Sequence, residues 1–405
     1  MPGLSNPEMV SAYAAQFNRS VLDKHTVASP LGLWLLLALV GPATAGAPRR
    51  CLEAVLGATV DDAAARAGVL LGDPHPAVSA LAAVWDRNLG PAFDEWARTL
   101  PGVVERGPVP DQAQADAWAR SRTNGLIDRF PLRLDELTRL VLASALATDI
   151  SWAEPLGTTN ELGGSFGEQI RTALTFRDGI QLVVDTDAAG LVAVAAPPSS
   201  SALDVFTVIA EPGVAPHDVD AAAHQVAAML RGDDRAARRV PIEELTDGHA
   251  WTVTERRERR VGGPDVQAEW RSYLPAWSAT GDHDLDNAPG VAPVFATLAR
   301  FVRDEEQPAV LDAKQAAVAS YSRTGFKAAA ITAMGVRAAG MPSFHEVLVR
   351  RIDVRFNRPF AVLACADRYE GPEPWRGMPI FSAWVTEPQE TVSDEAGPPR
   401  RAAVR

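Results

Sequence analysis

Three stretches decide how this chain is read: Ala117-Trp118-Ala119 with Thr123-Asn124-Gly125-Leu126-Ile127, then Leu137-Thr138-Arg139-Leu140-Val141-Leu142, then Trp152-Ala153-Glu154-Pro155-Leu156. Trp118, Leu126 and Ile127 recur at helical spacing, which predicts a helix over 111–130. Residues 138–150 are an almost unbroken apolar run, the pattern of a strand buried on both faces.

Toward the N-terminus, Met9, Val10, Tyr13 and Phe17 form one apolar stripe, so 1–24 reads as an amphipathic helix. Ser29-Pro30 is a helix start, with serine as the cap and proline in the first turn. The apolar run from Leu31 to Val40 that follows is too short to cross a bilayer. Ala43-Thr44-Ala45 resembles a leader-cleavage site, yet a polar stretch with Glu8 and Asp23 precedes the run instead of a short basic leader. A buried helix and a cytoplasmic protein are expected, with export left open. A helix over 47–56, a polar turn, and a helix or strand over 76–88 come next.

Toward the C-terminus, strand patterns occupy Val183-Val184, Leu191 to Val194 and Val205 to Ile209. A helix over 214–231 opens at Pro216, strands follow at 251–254 and 269–274, and a helix at 293–301. Two short strands, 360–365 and 380–385, close the chain, and the charged tail from Glu390 reads as disordered. Helices come first and strands dominate later without βαβ alternation, so the class is α+β, one domain over 1–389.

The 405 residues are 47% apolar with a formal net charge of −12, an acidic balance that disfavours nucleic acid as a partner. Arg256-Arg257-Glu258-Arg259-Arg260 is interrupted by acid and reads as a solvated turn or strand end. Cys51 and Cys365 have no metal spacing and read as small buried hydrophobes, with a disulfide left open. Gly163-Gly164-Ser165-Phe166-Gly167 matches a hydrolase elbow in letters but follows loop residues, so a flexible turn is expected. Asp282-His283-Asp284-Leu285-Asp286-Asn287 starts like a calcium loop, lacks glycine at the sixth place, and reads as a capping turn. His217, Asp218, Asp220 and His224 open a helix, where acids are explained by the helix dipole without a metal. No cofactor, metal or membrane partner is expected.

Four groups of residues, taken in order, resemble the serpin family. Ala28-Ser29-Pro30-Leu31-Gly32-Leu33, on through Leu52 to Leu56-Gly57, is similar to its Ser-Pro helix and the helix after it. The 117–156 segment is similar to its next helix and sheet strand, element for element. Tyr273-Leu274-Pro275 with Val310 to Ala333 is the third group; Phe356-Asn357-Arg358-Pro359-Phe360, Pro379-Ile380-Phe381 and Pro388 form the fourth. Together they run from about residue 25 to 388 and point to a divergent, bacterial-type member. The resemblance implies three β-sheets, eight or nine helices and an exposed reactive-centre loop, in a monomer. It also implies a suicide mechanism: a serine or cysteine protease cuts the loop, which then inserts as a new strand.

Within that resemblance Gly325 matches the hinge glycine, and Phe326, Lys327, Ala328, Ala329, Ala330, Ile331 and Thr332 the hinge. Small side chains suit a segment that slips between packed strands. On insertion Phe326, Ala328, Ala330, Thr332 and Met334 share one face, and Lys327 falls on the other. Phe-Lys at 326–327 departs from the family's small polar hinge start. Counting forward from Gly325 puts the cut near Ala339-Gly340; counting back from Phe356 puts it near Leu348; Arg337 would suit a trypsin-like enzyme. The positions matching the family's sheet-opening cluster hold His25, Ser29, Gly32, Ser144 and Gln315, with Trp152 kept at the top of the sheet. Three functions follow: a protease inhibitor, a non-inhibitory binding or carrier protein, and a scaffold turned enzyme in small-molecule biosynthesis with His25, Ser144 and Gln315 as its site.

Overall fold

Ser29 is where the architecture starts. It caps α2 (Pro30–Val40) by accepting from the Gly32 amide, and directly follows β1 (Thr26–Ala28). Every residue of α2 except Leu36 is buried, as expected of a helix apolar on all sides. The computed structural model describes residues 4–148, 150–261, 266–302, 313–325 and 344–391. Around α2 lie α1 (Asn6–Val21), α3 (Gly46–Leu56) and α4 (Val60–Gly72), the last occupying what reads in sequence as a turn.

Residues 76–88 resolve as strand β2 (Val78–Asp86), followed by α5 (Pro91–Ala97), β3 (Glu105–Pro108), α6 (Gln112–Arg122) and β4 (Leu140–Thr148). The helix expected over 111–130 stops at Arg122 because Asn124 and Gly125 both take positive φ, 53° and 77°, a left-handed turn no helix continues through. β4 divides its side chains as a two-faced strand should. Val141 and Ala143 meet Trp85 and Phe130 in the α6 cluster, while Leu146 joins the main core.

Next come β5 (Gly157–Thr159), α7 (Gly164–Gly167), β6 (Ala173–Phe176), β7 (Ile180–Thr186), β8 (Gly190–Ala196) and β9 (Leu203–Ile209). The Gly163–Gly167 stretch is thus a one-turn helix, with the Ser165 hydroxyl donating to the Asn357 carbonyl. After α8 (Pro216–Leu230) and β10 (Ala237–Arg239), β11 (Trp251–Val261) and β12 (Val266–Leu274) form long strands. The arginine run at 256–260 is therefore mid-strand, not a turn. Its outward side chains pair across the sheet, Arg256 and Arg260 both bonding Glu258 and Glu269. The chain closes with β13 (Trp277–Asp284), α9 (Val291–Leu298), β14 (Lys314–Tyr321), β15 (Phe344–Arg355), β16 (Phe360–Ala366) and β17 (Pro379–Val385).

Among the described residues the strands form a seven-stranded sheet β1-β17-β16-β9-β8-β7-β10, a five-stranded sheet β11-β15-β12-β6-β5, and two smaller ones, β3-β2-β4 and β13-β14. Cys51 is exposed and Cys365 buried, both as free thiols, which corrects the expectation that both are buried and leaves no disulfide between them. Glu390, placed in the disordered tail by composition, is anchored: its carboxylate accepts from the Arg171 and Thr172 amides.

One carboxylate in the seven-stranded sheet sets a pH dependence. Asp204 on β9 is pushed up to about 6 from an ordinary 3.8, chiefly by burial and secondarily by Asp367. A carboxylate raised on folding holds its proton longer in the native state, so the penalty is absent below about pH 4. It grows as pH rises toward 6 and stays constant above. Asp204→Asn is expected to stabilise the protein by about 1–2 kcal/mol at pH 7.5 and by almost nothing at pH 4. Urea midpoints at the two pH values check this; equal shifts at both would contradict it.

Candidate functional site

Two strand edges face each other across α2. β4 is the outer strand of one small sheet and β14 of the other, and no ladder joins them among the described residues. The α2 N-terminus spans the gap. The Gln315 side-chain amide on β14 clamps Ser29 from both sides: its Oε1 accepts from the Ser29 amide at 2.8 Å, and its Nε2 donates to the Ser29 carbonyl at 2.9 Å. The Ser29 hydroxyl donates to the Ile380 carbonyl at 2.8 Å, fixing the cap to β17. On the other edge Ser144 Oγ donates to the Gly32 carbonyl at 3.1 Å. A Cβ on Gly32 would stand 3.2 Å from Ser144 Oγ and 3.2 Å from Leu146 Cδ1, so the missing side chain lets β4 approach the helix. Below this point a narrow cavity of about 60 Å³, lined by Leu33, Leu36, Leu142, Leu146 and Phe130, lies along the seam.

The structure brings Ser29, Gly32, Ser144 and Gln315 together, as the sequence places them. His25 is not with them. Its Nε2 donates to the Ser278 carbonyl at 2.9 Å and its Nδ1 accepts from the Thr386 and Glu387 amides, stapling the end of β17 to β13. In the β13–β14 ladder Ser278 pairs with Ser320, five positions from the pair His283 and Gln315. The three-residue enzyme site of His25, Ser144 and Gln315 is therefore corrected: its imidazole has both nitrogens committed elsewhere. The histidine facing this region is His283, which the sequence reading assigned to a capping turn. It lies on β13, buried, with Nε2 2.9 Å from the Val27 carbonyl. The signal was period-two alternation over 277–284, where His283 falls on a buried position.

At the head of the seam, Trp152 is 4% exposed, packs against Tyr321 at 4.8 Å between ring centroids, and donates its indole N–H to the Ser322 carbonyl at 3.0 Å. The Leu156 amide donates to the Arg323 carbonyl at 2.8 Å, and Arg323 Nε returns a bond to the Leu156 carbonyl. Beyond β14 the chain reverses. Gly325 forms antiparallel bridges with Ser322 behind it and with Ser151, beyond the end of β4, in front. Its φ of +118° and a site where a Cβ would lie 2.3 Å from the Ile150 carbonyl oxygen make glycine the residue that fits. Gly325 thus ties the turn after β14 to the segment that follows β4.

The rest of the hinge, Phe326 to Thr332, and the cut candidates Arg337, Ala339 and Gly340 lie outside the described residues. Leu348 is a correction. It sits inside β15, paired with Arg257 of β11 on one side and Val266 of β12 on the other, so it is no loop residue. The excess length after the loop is a longer strand.

No protein-family model matches the chain. It is similar to a serpin-Z5 of Oryza sativa subsp. japonica, 32% identical over 163 residues. That match takes in 36% of this chain and only 37% of the rice protein. Solved structures match over nearly the full length. The thermophilic serpin tengpin has a TM-score of 0.63 at 15% identity, covering 94% of this chain and 93% of its own. Human thyroxine-binding globulin has a TM-score of 0.62 at 14% identity, covering 96% and 100%. Serpin48 of the insect Tenebrio molitor has 0.56 at 15% identity, covering 95% and 98%. A fold shared end to end with these structures shows that this chain has the serpin fold.

Proposed function

We propose that this protein inhibits a serine or cysteine protease by inserting its loop, once cut, between β4 and β14. The observation that carries the reading is Gly325, bridged antiparallel toward both flanks of an unjoined seam. A strand entering there would pair its backbone at once with two edges that carry no ladder partner among the described residues, covering a kind of edge that folded proteins otherwise protect. The alanines at 328–330 add little volume to what must pass between packed strands. Incubation with a panel of serine and cysteine proteases is expected to give a complex that survives boiling in detergent. Loop-nicked protein is expected to melt at least 20 °C above the intact chain. Clean cleavage, with neither complex nor rise, sinks the proposal.

A carrier role is the second reading. An open groove of about 640 Å³ at the foot of α1, lined by Glu8, Arg66, Arg231 and Arg376 among others, favours it, being large enough for a small organic ligand. Thyroxine-binding globulin, similar in fold, was solved with thyroxine bound. Clean cleavage without a rise in melting temperature moves the weight to this role.

A further inference from the structure

Arg358 joins the two large sheets. It stands half-buried in the turn between β15 and β16. Its Nη2 donates to the Ala210 carbonyl, just past β9, at 2.5 Å, and its Nη1 to the His249 carbonyl at 3.2 Å. Nη2 also lies 3.0 Å from His249 Nδ1, and His249 Nε2 lies 2.8 Å from the Leu191 carbonyl on β8. β8 and β9 belong to the seven-stranded sheet; His249 leads into β11 and Arg358 follows β15, both of the five-stranded sheet. The imidazole is held in place by Trp251, packed against it edge to face at 4.8 Å between centroids. That indole is buried and donates its N–H to the Thr246 carbonyl.

Those partners leave the imidazole one state. A carbonyl only accepts, so Nε2 carries the hydrogen; a guanidinium only donates, so Nδ1 must offer a bare lone pair. Arginine keeps its charge at any pH where a protein stays folded. A proton on Nδ1 would therefore set N–H against N–H and two cations 3.0 Å apart. Burial and Arg358 hold the His249 pKa below its ordinary 6.5, with the Leu191 bond and Glu211 opposing them. The charges next along the chain face elsewhere. Asp247 accepts from the Val253 amide, and Arg355 lies over the Tyr273 ring and bonds Thr252.

We propose that His249 and Arg358 form an acid-released latch between the two large sheets. One solvent proton taken up at Nδ1 expels the guanidinium, which lets go of the Ala210 and His249 carbonyls and frees the β15–β16 turn. In the unfolded chain the histidine is unconstrained and takes up that proton as pH falls through 6.5. The latch therefore stabilises the fold fully well above that pH and progressively less below it. It does not depend on loop insertion.

His249→Gln keeps a donor and an acceptor at this place without titrating. In urea unfolding from pH 7.5 to 5, the unfolding constant of the wild type is expected to grow relative to the variant's by up to about tenfold per pH unit below 6.5. Asp204, His75 and His224 titrate in both proteins, so the comparison cancels them. Hydrogen exchange, corrected for its intrinsic pH dependence, reads the release on the wild type, with no variant needing to fold. Between pH 7.5 and 5.5 it is expected to quicken severalfold at Phe166, whose amide bonds the Asn357 carbonyl, and at Arg355 and Phe356, bonded to the Ala250 and Tyr273 carbonyls. Parallel pH profiles in the two proteins, or unchanged exchange at these three amides, overturns the proposal.

Discussion

Gly325→Ala is expected to lower the stability of the uncut protein by about 2–4 kcal/mol and to erase the rise in melting temperature on loop cleavage. A φ of +118° is costly for any residue with a Cβ, and this Cβ would lie 2.3 Å from the Ile150 carbonyl oxygen and 2.8 Å from Ser151 Cα. Neither backbone atom can yield readily. Ile150 is fully buried, and Trp152 beyond it is held by Tyr321 and the Ser322 carbonyl. The variant must therefore open the bridge to Ser151. Scanning calorimetry of cut and uncut protein decides the matter; an unchanged rise would mean that Gly325 is only a turn.

Gln315→Ala removes both partners of the Ser29 backbone in one step. An orphaned buried amide and carbonyl cost about 1–3 kcal/mol each, so a loss of about 2–4 kcal/mol is expected once partial solvent access is allowed for. Gln315→Glu is expected to do no better, because a carboxylate can accept from the Ser29 amide but cannot donate to its carbonyl. Urea midpoints measure both. A loss under about 0.5 kcal/mol in either variant would show that the clamp is incidental to the seam.

Much of this seam was legible in the sequence, for local reasons. Ser29-Pro30 announces a capped helix, and the apolar run 138–150 has the pattern of a buried strand, found as β4 over Leu140–Thr148. The resemblance then brought Ser144 and Gln315 to Gly32 correctly. His25 misled because adjacency along the chain says nothing about position along a ladder: it falls five pairs from Gln315. β11 was read only over 251–254 because beyond Thr254 its outward residues are charged and satisfied by Glu258 and Glu269, which imitates a solvated turn. β14 is alanine-rich, and alanine favours helix; its strand state comes from pairing with β13, a tertiary fact. The His249–Arg358 contact joins two segments 109 residues apart in sequence, which no spacing rule reaches.

β15 has a mechanical consequence. It is 12 residues long and held in shear on both flanks, antiparallel by β11 and parallel by β12. Its Arg350 is bolted down by the Ile242 and Leu245 carbonyls and by Glu255. β15 is thus a moored strand at the C-terminal side of the stretch between Gly325 and Phe344. On the proposed reading, an unbroken chain could fill the seam fully only by tearing out that mooring, whereas a cut before β15 would spare it.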